Sequence, residues 1–119
     1  MLQPRVVSVR ELLGAGGALS RALPGYEPRP EQIEMGEAVA RALRHEERLL
    51  VEAGTGTGKS LAYLVPAALS GLRVVVSTGT KALGEQIVSR DLPTLARLGL
   101  EPRVALVKGL GNYVCRRRL

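Results

Sequence analysis

The segment Ala53-Gly54-Thr55-Gly56-Thr57-Gly58-Lys59-Ser60 constrains the fold of this chain more tightly than any other. Before it, Arg48-Leu49-Leu50-Val51-Glu52 reads as a short apolar strand; after it, Lys59 to Leu69 reads as a helix. A glycine-rich link between strand and helix lets the backbone curl until successive N–H groups point inward, and the helix start adds partial positive charge. Closed by Lys-Ser, such a loop suits nucleotide phosphates. Lys59 is placed to reach the β- and γ-phosphates as the catalytic lysine, and the Ser60 hydroxyl to ligate the Mg²⁺ that bridges them. The strict pattern opens on glycine, where this chain has Ala53; the whole run from Ala53 through Gly54, Thr55, Gly56, Thr57 and Gly58 to Ser60 is the expected phosphate cradle.

The flanking sequence predicts an alternating architecture. Ser8 to Leu23 has helical spacing at Leu12, Leu19 and Leu23, but Gly14, Gly16 and Gly17 weaken its middle, so a broken helix or two short ones are expected. Pro24-Gly25 marks a turn. A firmer helix runs from about Glu31 to Arg44, with Pro30 in its first turn, Glu31 and Glu34 near its positive end and Arg41 and Arg44 near its negative end. Arg73 to Thr78 contains three adjacent valines without alternation, the pattern of a parallel strand buried on both faces. A helix from about Lys81 to Arg90 follows, and Asp91-Leu92-Pro93 restarts a shorter one that Gly99 ends; Val104 to Val107 is a third strand. Strand, helix, strand, helix, strand is the order of right-handed crossovers in an α/β domain with a parallel sheet and flanking helices. Residues 1–29 read as a helical and extended lead-in, and 30–119 as part of an ATP-binding domain.

Composition narrows the partners. A chain of 119 residues, 45% hydrophobic, supports one domain or part of one. A formal charge of +6 favours a polyanion, and with three tyrosines, no tryptophan and no phenylalanine, contacts to nucleic acid would run through phosphates and not stacked bases. A single cysteine, Cys115, cannot make an internal disulfide, no secretory pattern is present, and no window approaches the roughly 20 apolar residues of a membrane span. A cytoplasmic location is expected.

In order along the chain, YEPRPEQIEM, AGTGTGKS, VVVSTGTKALGEQIVSRDLP and VKGLGNYVCRRRL resemble the DinG/XPD group of superfamily 2 helicases, most closely the bacterial DinG type, from about Gly25 to Leu119. The resemblance implies the first motor lobe of a RecA-like P-loop NTPase, using ATP and Mg²⁺ and moving 5′ to 3′ on single-stranded DNA. It matches Gln32 to the glutamine that reads adenine; a side-chain amide offers a donor and an acceptor for N6 and N7. A solvent-facing position on an amphipathic helix is the alternative. Thr78-Gly79-Thr80 with Leu83 and Gln86 looks like motif Ia, in which Thr78, Thr80 and Gln86 would lie along the DNA phosphates, without base preference. Helix capping by Thr78 or Thr80 is compatible with that role. Gly84 and Leu110 stand where the family generally has glutamine and arginine.

Lys108 to Cys115 resembles the segment that carries the first of four cysteine ligands of an iron–sulfur cluster. Such a cluster needs about four thiolates and this chain has one, so the cluster is expected only in a longer chain. Arg116 to Arg118 suit a DNA-facing patch or a solvated basic end equally. An NTPase also needs an acid at a strand end and an arginine from a second lobe. Neither is recognisable here. The family's acidic box, later arginines and second lobe would lie beyond Leu119. The expected role is the ATP-binding front of an ATP-dependent DNA helicase, with hydrolysis and unwinding absent from these residues alone; the alternatives are a non-catalytic nucleotide- or DNA-binding piece and another P-loop enzyme such as a small kinase.

Overall fold

The computed structural model describes residues 7–56, 58–115 and 117; Thr57, Arg116 and Arg118 lie outside them. Two short helices open the described chain, α1 (Val9–Leu13) and α2 (Ala18–Ala22), divided at the glycines as expected. A reciprocal cap starts α1: the Glu11 N–H donates to Ser8 Oγ at 3.2 Å, and the Ser8 N–H donates to Glu11 Oε2 at 2.8 Å. Leu13 and Leu19 are completely buried, each such leucine contributing roughly 1.5–3 kcal/mol by leaving water.

Helix α3 (Pro30–His45) begins with its proline where no N–H is needed, and Glu46 closes it in the left-handed conformation, with φ 55°. Arg10 ties α1 to α3 through two 2.8 Å bonds to the Glu37 carboxylate. Helix α4 (Lys59–Leu69) carries Pro66 in its interior, which leaves the Ala62 carbonyl without its usual helical donor. Gly36 of α3 sits against that carbonyl: a side-chain carbon there would lie 3.3 Å from Ala62 O and 2.7 Å from Val9 Cγ1. Only glycine lets α1, α3 and α4 approach this closely. Val9, Leu12, Leu13, Leu19, Ile33, Leu64, Val65, Ile87 and Leu95 form the core between them.

The region expected as two helices is one unbroken helical run. Helix α5 (Lys81–Gln86) passes through a π turn (Ile87–Asp91) directly into α6 (Leu92–Arg97). The physical reason lies at Pro93, which has no N–H to offer the Ser89 carbonyl. The ladder loosens instead: the Leu92 N–H reaches back five residues to Ile87 O. Thr94 Oγ1 donates to Arg90 O at 3.0 Å, satisfying another carbonyl of the loosened turn.

Among the described residues no strand forms, so the parallel sheet expected over 48–52, 73–78 and 104–107 is not seen. These segments run without ladder hydrogen bonds. Leu49 and Val51 face α3 across an apolar groove of about 400 Å³ lined by Met35, Val39, Ala42 and Leu43. Leu50, between them, is 99% exposed, and Val75 is 89% exposed. A strand buried on both faces needs paired neighbours and a layer on each side. With Val74 39%, Val75 89% and Val76 42% exposed, the valine run lacks the covering layers its composition suits.

Candidate nucleotide site

A cleft of about 500 Å³ lies where the start of α3, the glycine loop and the π turn converge. Tyr26, Arg29 and Gln32 enter from the first, Gly56, Gly58, Lys59 and Ser60 from the second, and Gln86, Arg90 and Asp91 from the third. Gly56 and Gly58 take left-handed φ values of 76° and 74°, which turn the loop into the first residue of α4. Ala53 has no such φ, so the missing glycine at that position carries no backbone penalty. Thr55 sits exposed in the turn.

Lys59 folds back over the loop: its Nζ donates to the Ala53 and Gly54 carbonyls, both at 2.8 Å. Those bonds hold the ammonium above the curled backbone, where phosphate oxygens can take the carbonyls' place.

Gln32 is buried, 3% exposed, and faces the loop and not solvent. Its Nε2 donates to Gly58 O at 3.0 Å, which fixes the amide so that Oε1 accepts from the Tyr26 hydroxyl at 2.6 Å. The same hydroxyl lies 2.9 Å from Leu13 O. One phenolic proton thus serves two acceptors. Burial pushes the Tyr26 pKa up against the opposing charge of Arg29, which keeps it a donor. After these bonds Gln32 retains one N–H and one oxygen lone pair, the complement adenine requires.

Asp91 is the residue that sequence reasoning missed. It is 6% exposed, and its Oδ2 has no hydrogen-bond partner. Burial raises its pKa, opposed by the charge of Arg90 and by hydrogen bonding toward Gln86 and Ser60. A signal existed in the spacing: Leu83, Ile87, Asp91 and Leu95 recur every four residues, which sets the acid on the apolar stripe. Half-buried Ser60 and the unpartnered Asp91 oxygen belong to a cleft rich in oxygen donors, the chemistry Mg²⁺ selects. The residues present fit that ion, with Ser60 as the side chain that would hold it.

The predicted DNA residues divide. Thr80 caps α5 by accepting the Leu83 N–H at 3.2 Å, and Thr78 Oγ1 donates to Thr80 O at 3.0 Å. Gln86 lines the cleft described above, to which neither threonine contributes. The segment after residue 107 is clasped to α5: Lys81 Nζ donates to Asn112 Oδ1 at 2.7 Å and Lys108 Nζ to Glu85 Oε1 at 2.6 Å. The hydrogen bond and charge of Lys108 hold the Glu85 carboxyl below its usual range. Cys115 is exposed, and among the described residues no group of three or more His, Cys, Asp or Glu could hold a metal ion. No helix among them is long and apolar enough to cross a membrane.

The DEAD/DEAH box helicase family model matches residues 32–112. The chain is 50% identical over 104 residues to the ATP-dependent DNA helicase YoaA of Escherichia coli, covering 87% of this chain and 16% of that protein. It is 50% identical over 118 residues to the ATP-dependent helicase DinG of Mycobacterium tuberculosis, covering 92% and 17%. The 3′-5′ exonuclease DinG of Bacillus subtilis is 41% identical over 103 residues, covering 82% and 11%. The chain therefore spans less than a fifth of the length of each of these relatives. No solved structure matches it. With the glycine loop, Lys59, Ser60 and Gln32 gathered in one cleft and the match running from Gln32 to Asn112, the chain belongs to the DEAD/DEAH box helicase family.

Proposed function

We propose that this chain is the ATP- and Mg²⁺-binding front of an ATP-dependent DNA helicase that moves 5′ to 3′ on single-stranded DNA. The observation that carries the reading is the convergence of Gln32, Gly58, Lys59 and Ser60 on one cleft. ATP would lay its phosphates along the loop N–H groups. Lys59 leaves the Ala53 and Gly54 carbonyls for phosphate oxygens, Ser60 holds Mg²⁺, and Gln32 offers its remaining donor and acceptor to adenine. When bound, Mg²⁺ would neutralise phosphate charge. Thr78 and Thr80, with their hydroxyls at the start of α5, contact the DNA backbone. The half-covered segments 48–52, 73–78 and 104–107 pair as a parallel sheet once further strands adjoin them, and Cys115 supplies one ligand to a cluster completed by cysteines elsewhere in the protein. The acid that activates water comes likewise from outside these residues.

The test is ATP hydrolysis by the full-length protein with and without single-stranded DNA, alongside titration of a fluorescent ADP. Hydrolysis stimulated by DNA supports the reading. Nucleotide binding with no turnover under any DNA condition would leave a binding module instead, and transfer of phosphate to a small molecule would make it a kinase.

A further inference from the structure

We propose that Asp91 is a positioning residue of the nucleotide site: its carboxylate accepts the hydrogen bond of the Ser60 hydroxyl and so turns the Ser60 oxygen toward Mg²⁺. The inference rests on the nucleotide reading above and adds to it a residue that neither the glycine loop nor its flanks identify.

Three observations carry it. Asp91 is nine-tenths buried, yet its Oδ2 has no partner, and a buried carboxylate oxygen without a donor is an expense that a purely structural aspartate avoids. The residue lines the same cleft as Lys59 and Ser60. It stands at the last position of a π turn, a helical distortion found frequently at functional sites.

The chemistry supplies the direction. A serine hydroxyl has one proton and two lone pairs. When a lone pair binds a cation, the O–H must point elsewhere, and the cation makes it a stronger donor. An acceptor beside it then fixes the rotamer that coordination requires. Gln86, also in the cleft, can donate to a carboxylate oxygen through its amide and hold Asp91 in place. Arg90 is exposed at the rim and contributes charge.

This assignment separates hydrogen-bond acceptance from direct metal ligation. Asparagine retains an oxygen acceptor but loses the charge; leucine, of similar shape, loses both. The experiment titrates the full-length protein with fluorescent ADP, once with Mg²⁺ and once with EDTA. Asp91→Leu is expected to weaken binding about tenfold with Mg²⁺ and less than about twofold without it, the scale of one lost hydrogen bond. Asp91→Asn should recover most of that loss. On a Ser60→Ala background Asp91→Leu should add nothing, since the hydroxyl to be positioned is gone.

Wild-type affinity in Asp91→Leu overturns the proposal. So do equal losses with Mg²⁺ and EDTA, which mark a structural role, and an Asp91→Asn variant as damaged as Asp91→Leu, which marks Asp91 as a direct ligand. If Asp91→Leu does not fold, Asp91→Ala combined with Ser60→Ala takes its place, and additive penalties overturn the proposal. Failure of the wild-type protein to bind ADP at all is a different result: it removes the nucleotide reading itself.

Discussion

Gln32 Nε2 donates to the Gly58 carbonyl at 3.0 Å, which makes the start of α3 and the phosphate loop one mechanical unit. The contact exists only because residue 58 has no side chain: a carbon there would collide with the Gln32 amide, and φ is 74°. Gly58→Ala is expected to lose stability on the order of 1–3 kcal/mol from the left-handed backbone alone. Nucleotide affinity should fall further than stability, because the displaced amide also leaves the cleft. Chemical denaturation and a fluorescent ADP titration measure the two effects separately; unchanged values in both would contradict the geometry.

Tyr26 holds the other end of that amide. Tyr26→Phe removes the donor that Gln32 Oε1 accepts at 2.6 Å while leaving the ring in place. A buried acceptor without its donor costs about 1–3 kcal/mol. The melting temperature should drop, and selectivity for ATP over GTP should narrow as Gln32 gains rotational freedom. A competition titration of the two nucleotides reads the second effect, and preserved selectivity would detach Tyr26 from base recognition.

Lys59→Ala should separate binding from folding. The ammonium contacts two carbonyls of its own loop, and Lys59 is not part of the apolar core. Thermal unfolding of the variant without nucleotide should stay close to the parent, while nucleotide affinity falls at least tenfold. Equal titrations for the two proteins would remove Lys59 from the phosphate site.

Asp91 gives a pH dependence with a definite sign. Burial raises its folded-state pKa above the unfolded one, so ionising it costs more in the folded chain. Its contribution is therefore most favourable below the ordinary aspartate range and is lost as pH rises through the raised folded value. Asp91→Asn, neutral at every pH, should melt above the parent at pH 7 in the absence of nucleotide, and the difference should close as both are acidified. Melting curves from pH 4 to 8 check this; a variant less stable than the parent at pH 7 would mean that the carboxylate has structural partners.

What the sequence made legible was local. The Ser8 and Glu11 cap, the glycines that divide α1 from α2, Pro30 at the start of α3 and the loop from Ala53 to Ser60 all act through neighbours within a few residues. Residues whose roles depend on distant partners were harder to read. Gln32 could be placed near the loop by resemblance, but its bond to Gly58 crosses 26 positions. Asp91 followed by Leu-Pro looks like a helix start, and that reading hides its four-residue spacing from Ile87 and Leu95, which places it on the buried face. The three valines at 74–76 announce a buried strand, but a strand is a property of its neighbours, and pairing partners are absent among the described residues.

The π turn from Ile87 to Asp91 also has a geometric consequence. Side chains four apart on an ideal α-helix advance about 400° and so drift roughly 40° past alignment at each step. Over Leu83, Ile87, Asp91 and Leu95 that error would accumulate to about 120°, enough to carry the last of them around the barrel of the helix. The wider turn runs slower and cancels much of the drift, so Ile87 and Leu95 reach the same core with Asp91 buried between them. It works as a phase corrector: a helix of ideal pitch through these residues would turn Leu95 away from the face that Leu83 marks.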